Sequence, residues 1–121
     1  MSKILIIEDE EALRETVAEL LLIAGYEIAV AKDGLDGLKK VQEEVPDLIL
    51  CDVMMPKLDG YGFLEQHQLS IYSHIPVVLL TAKIELDDEI LSLKLGAKGY
   101  VRKPFNFLEL NRIIRCWLFS E

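Results

Sequence analysis

Asp52 stands at the end of an apolar run, Leu48-Ile49-Leu50-Cys51, and is followed by Val53-Met54-Met55-Pro56. A second acidic group follows a similar run, Ile4-Leu5-Ile6-Ile7, which leads into Glu8-Asp9-Glu10. Carboxylates brought together repel one another, and the arrangement is tolerable mainly when a cation neutralises them or one keeps a proton. The oxygens of Glu8, Asp9 and Asp52 make a hard donor set suited to Mg²⁺, which retains several waters and needs few protein carboxylates. Glu10 and Glu11 read more simply as capping residues of the next helix. Thr81 ends the run Val77-Val78-Leu79-Leu80, and Lys103, followed by Pro104, comes after the run at 99–101. A hydroxyl and an ammonium converging on a carboxylate can hold the oxygens of a phosphoryl group, although a loop lysine by itself is usually solvated.

These residues are useful only if the chain brings them together. Short apolar runs at 4–7, 26–30, 48–51, 77–80 and 99–101 read as strands. Between and after them lie helical patterns at about 13–24, 35–44, 59–67, 84–95 and 106–118, with Gly25 and Gly96 placed to stop the first and fourth. Strict alternation predicts an α/β fold with a mainly parallel sheet covered on both faces. Each residue named above then sits at the carboxyl end of a strand, the edge at which open α/β sheets bind ligands.

The composition narrows the function. A chain of 121 residues suits one domain, 1–121, with no effector domain expected inside it. Lys and Arg number 13 against 21 Asp and Glu, for a charge of -8, which argues against direct nucleic-acid binding. No apolar run approaches the ~20 residues of a membrane span, and Met1-Ser2-Lys3 enters a strand without a signal-peptide core. Cys51 and Cys116 are too few for a disulfide framework or zinc site, so a cytoplasmic location is expected and Cys51 reads as a small core residue.

Glu8-Asp9, Asp52 with Met55-Pro56-Lys57-Leu58-Asp59-Gly60, Thr81-Ala82, Gly96-Ala97, Tyr100 and Lys103-Pro104-Phe105 occur in order and at fitting spacing across nearly the whole chain. In these residues the sequence resembles the receiver domain of two-component response regulators. The resemblance implies a five-stranded sheet of order 2-1-3-4-5 with five helices on both faces, and a cis Lys103-Pro104 bond. It implies that Asp52 is the phosphoacceptor, and that Asp9, Glu8 through water, Asp52 and the Met54 backbone carbonyl serve Mg²⁺. Thr81 is then the switch hydroxyl, Lys103 the phosphoryl partner, and Tyr100 the aromatic whose ring moves inward on activation. The implied protein is a switch rather than an enzyme, with self-phosphorylation from small donors and self-dephosphorylation. Its implied partners are a histidine kinase or histidine phosphotransfer protein and a downstream effector. The effector is controlled through the face of the fourth helix, fifth strand and fifth helix, which is also a candidate homodimer contact.

Other features depart from the simplest pattern. The fourth helix is apolar on two sides: the resemblance assigns Ile90 and Leu93 to the core and leaves Ile84, Leu91 and Leu95 outward, as a candidate partner surface or as scattered exposed side chains. In the fifth helix Phe107, Leu110, Ile113, Ile114, Trp117 and Leu118 share a core face, and Leu108 lies off it. Met54 and Lys83 flank the path of a hydrolytic water and are expected to tune phosphoryl lifetime. They resemble receivers attached to winged-helix transcription factors, but those carry two acids where this chain has Lys98 and Gly99. His67 and His74 lack metal-ligand spacing and are expected at the surface. A haloacid-dehalogenase-like phosphatase would need an acid at the position of Met54, and a flavodoxin-like carrier a phosphate-cradling first loop in place of Glu8-Asp9-Glu10. A phosphate-independent receiver-like interaction module is the remaining alternative.

Overall fold

A computed structural model describes residues 1–82 and 86–119. Lys83 and Ile84, named above for lifetime and for the partner surface, lie outside the described residues. The elements alternate as expected: β1 (Lys3–Ile7), α1 (Glu11–Ile23), β2 (Glu27–Ala31), α2 (Gly34–Glu44), β3 (Leu48–Asp52), α3 (Gly60–Gln68), β4 (Val77–Thr81), α4 (Leu86–Lys94), β5 (Gly99–Arg102) and α5 (Phe107–Phe119). The strands form one parallel sheet in the order β2-β1-β3-β4-β5.

β3 and β4 are buried from end to end, which is why they read as unbroken apolar runs rather than alternating ones. Successive side chains still point to opposite faces and feed two cores. Leu5, Ile7, Ile49, Cys51, Val77 and Leu79 pack with Val41, Phe63 and Leu64 of α2 and α3. Ile4, Ile6, Leu48, Leu50, Val78 and Leu80 pack with Val17, Leu21, Leu110 and Ile114 of α1 and α5. The helix boundaries follow local chemistry. Asp33 caps α2 by accepting from the Asp36 amide at 2.8 Å, Asp59 caps α3 through the Gly62 amide at 2.8 Å, and Asn106 accepts from the Glu109 amide at 2.7 Å. After α1 and α4 the chain turns through left-handed Gly25 (φ 101°) and Gly96 (φ 100°), a conformation that costs a side-chain-bearing residue more.

Three sequence expectations need correction. α4 and the turn that follows it place Asp88, Ser92 and Leu95 inward, a stripe at helical spacing, with Ser92 0% exposed and Leu95 packed on the α2–α3 side core. Ile90 and Leu93, expected in the core, are instead 41% and 57% exposed. Ser92 can occupy the inner stripe because its hydroxyl donates to the Asp88 carbonyl at 2.8 Å, so no polar atom is stranded. Trp117 is more exposed than a core residue, its indole lying at the sheet edge where a Cβ on Gly99 would stand 3.5 Å from Nε1. His67 is 1% exposed: its Nε2 pairs with the Ile75 carbonyl at 2.9 Å and its ring stacks on Phe63 with centroids 5.6 Å apart. A ring that satisfies its polar atom against backbone can be buried, and nothing in residue type signals that partner. His74 and Leu108 are exposed, as expected.

Candidate functional site

The parallel sheet delivers five functional side chains to one edge. β1 ends at Ile7, so Glu8 is buried just beyond it and Asp9 is exposed. Ile7 pairs with Cys51, which sets Asp52 beside Glu8 at the end of the neighbouring strand. Asp52 pairs with Leu80 and Thr81 with Arg102, bringing the buried Thr81 hydroxyl and then Lys103 to the same edge. The ladder continues one step past β5, because the Lys103 amide donates to the Thr81 carbonyl at 2.7 Å, and the Lys103-Pro104 bond is cis.

One carboxylate oxygen from each of Glu8, Asp9 and Asp52 lies within 4.8 Å of the others. The Lys103 ammonium lies between two of them, 2.9 Å from Glu8 Oε1 and 3.0 Å from Asp52 Oδ1. Burial pushes the carboxyls of Glu8 and Asp52 above the usual carboxylate range, with the hydrogen bond from Lys103 opposing the rise. Burial pulls the lysine the other way, yet its hydrogen bonds to the two acids prevail and its pKa is raised. The site therefore carries more negative charge than one lysine neutralises, which favours a further cation. Hard oxygens, one exposed acid and close mutual approach fit the donor preferences of Mg²⁺. The Cys51 thiol is pushed well up by burial and by Asp52, so it is an inert core group beside the site.

Glycine closes the base of this edge. Gly60 donates to the Val53 carbonyl at 2.8 Å, and a Cβ there would strike the Asp52 carbonyl oxygen. Met54 is exposed on the loop between β3 and α3. Tyr100 is half-buried on β5, paired with Leu79, and so lies back from the carboxylates along the strand. One supporting residue escaped the sequence reading: Arg14 on α1 donates from Nη1 to the Glu8 carbonyl at 3.0 Å. Its only sequence signal is its position in the second turn of the helix after Glu8, which many solvated arginines share.

This fold and this edge are those of a signalling receiver domain, and residues 4–115 match the family model of the response regulator receiver domain. The chain belongs to that family, the receiver domains of two-component signalling. It is 45% identical over 116 residues to the probable transcriptional regulator ycf27 of Galdieria sulphuraria, covering 96% of this chain and 45% of that protein. The chain thus spans about half the length of the curated relatives it matches. The chemotaxis response regulator CheY4 of Vibrio cholerae superposes with a TM-score of 0.92 at 32% identity, covering 98% of this chain and 99% of that one. The receiver domain of the sensor histidine kinase PA1611 from Pseudomonas aeruginosa, which has a magnesium ion coordinated in its active site cleft, superposes with a TM-score of 0.86 at 31% identity, over 98% of both chains.

Proposed function

We propose that this chain is a phosphorylation-activated switch in which Asp52 receives a phosphoryl group from a histidine kinase or histidine phosphotransfer protein. The observation that carries the reading is the convergence of Glu8, Asp9 and Asp52 within 4.8 Å, bridged by Lys103 and adjoined by Thr81 at the next strand end. Glu8, Asp9, Asp52 and the Met54 backbone carbonyl would hold Mg²⁺, the ion named for the PA1611 receiver. When bound, Mg²⁺ would offset the repulsion between these acids and the incoming phosphoryl group.

A carboxylate oxygen of Asp52 attacks phosphorus, the phosphorus–nitrogen bond of the donor phosphohistidine breaks, and its electron pair returns to the imidazole. The product is an aspartyl phosphate, which water later hydrolyses. Lys103 already stands within hydrogen-bond distance of Asp52 and can hold a phosphoryl oxygen at the same time. The Thr81 hydroxyl donates to another phosphoryl oxygen, and its movement draws Tyr100 inward. That displacement biases the face formed by α4, β5 and α5 toward its active arrangement. A bias of about 2.7 kcal/mol changes the equilibrium roughly a hundredfold. The domain is a phosphoacceptor rather than an enzyme acting on separate substrates, although it takes phosphate from small donors and releases it unaided. The relatives about twice its length include proteins named transcriptional regulators, so a transcriptional output is the effector class that this resemblance favours.

The test is intact mass after incubation with Mg²⁺ and acetyl phosphate, beside an Asp52→Asn variant. One phosphate that is acid-stable, base-labile and absent from the variant is the expected result. An equal adduct in the variant would move the acceptor elsewhere. No adduct from acetyl phosphate or from phosphohistidine donors, with Mg²⁺ still bound, would favour the phosphate-independent interaction module.

A further inference from the structure

The loop of residues 53–59, which carries Met54 toward the acidic edge, is held at its far side by the start of α2. The Gly34 amide donates to the Leu58 carbonyl at 3.1 Å. A Cβ built on Gly34 would strike that carbonyl oxygen and lie 2.9 Å from both the Leu58 carbonyl carbon and its Cβ. The obstacle is largely backbone, so no side-chain rotation relieves it. The φ of Gly34 is not in the left-handed region, which leaves close approach as the reason a side chain is excluded. Asp33, buried beside it, caps α2 with one carboxylate oxygen and holds Lys57 Nζ at 3.9 Å with the other, while Lys57 bends the loop at φ 67°. One turn further along α2, a Cβ on Gly37 would press on Cδ1 and Cγ1 of Ile7, the residue immediately before Glu8. Gly34 and Gly37 of α2 therefore lie directly on two of the segments that bear or adjoin the proposed metal ligands.

We infer that Gly34 is a positioning residue: its missing side chain lets α2 seat the 53–59 loop at the height that Mg²⁺ binding requires. This rests on the phosphoacceptor reading above. Gly34 touches neither metal nor phosphate and acts through Leu58. A supporting contact of this kind, once displaced, typically weakens metal binding by roughly tenfold or more.

The experiment is an Mg²⁺ titration followed by backbone amide NMR for the wild type, Gly34→Ala, Leu58→Gly and Val41→Ala, with acetyl phosphate labelling rates at low and saturating Mg²⁺. Val41 is a buried α2 residue of the same core, seven residues beyond Gly34, so its truncation lowers stability without adding bulk at the Leu58 contact. Gly34→Ala should weaken Mg²⁺ binding roughly tenfold and slow labelling at low Mg²⁺, with recovery at saturation. Leu58→Gly, which loosens the same contact without a clash, should weaken binding in the same direction and keeps the test open if Gly34→Ala does not fold. Val41→Ala should bind Mg²⁺ as the wild type does. Wild-type affinity in Gly34→Ala, or an equal loss in Val41→Ala, would overturn the inference while the phosphoacceptor reading stands. A wild type that binds no Mg²⁺ and takes no phosphate would overturn both.

Discussion

At the scale of single residues, the site is a charge imbalance held in place by strand ends. Glu8 and Asp52 share one lysine, and burial raises both of their pKa values. A carboxyl raised in the fold contributes stability below its ordinary value, near 4.5 for Glu8 and 3.8 for Asp52, and loses that contribution as pH rises through the raised value. At neutral pH the metal-free site is therefore a local source of instability that a cation relieves. Mg²⁺ and protons compete for the same oxygens, so calorimetric titration should show affinity rising from pH 5 toward pH 7. Asp52→Asn, which removes one titrating ligand, should bind more weakly and with a shallower pH dependence. A pH-independent affinity in the wild type would count against metal binding by these acids.

Among the elements, α3 holds one of the groups whose burial the sequence does not signal. His67 is buried against Phe63 and the Ile75 carbonyl, and burial lowers its pKa from the ordinary 6.5. A histidine lowered in the fold contributes stability above 6.5 that is lost as pH falls through the lowered value. His67→Gln, which keeps an amide donor but cannot titrate, should be less stable at pH 7.5 because the stacking with Phe63 is lost. Its urea midpoint should also fall less than that of the wild type between pH 7 and pH 5. Parallel midpoint curves for the two proteins would show that another group governs acid stability. The same element-level logic separates Leu91 from Leu95. Leu95 packs on the core and Leu91 does not, although the helical pattern had paired them outward.

For the whole molecule, the question is what the exposed side of α4 meets. Ile90, Leu91 and Leu93 expose apolar surface on an acidic chain of net charge -8. Self-association through this side must overcome like-charge repulsion, so it should strengthen with salt. Sedimentation of the phosphorylated protein should detect dimers that Leu91→Ser weakens without altering phosphate uptake. Unchanged assembly in that variant would remove Leu91 from the contact. Leu95→Ser is unsuitable for this purpose, because loss of a packed leucine costs about 1–3 kcal/mol of folding stability.

Much of this architecture was legible in local pattern. Buried parallel strands need continuous apolar runs, surface helices need one apolar stripe, and caps need Asp or Gly at fixed offsets. The alternation of these signals determined the fold class, and the polar residues just beyond the runs named Glu8, Asp9, Asp52, Thr81 and Lys103. Only the tertiary structure decided how α4 is rotated, because a helix apolar on two sides has no preferred inner face until its neighbours are present. It alone buried His67, whose partner is a backbone carbonyl eight residues away, and placed Gly34 against Leu58, a contact between segments distant in the chain. Strands and caps are specified within a few residues of themselves, whereas rotation, seating and backbone partnership depend on the three-dimensional packing of segments far apart in sequence.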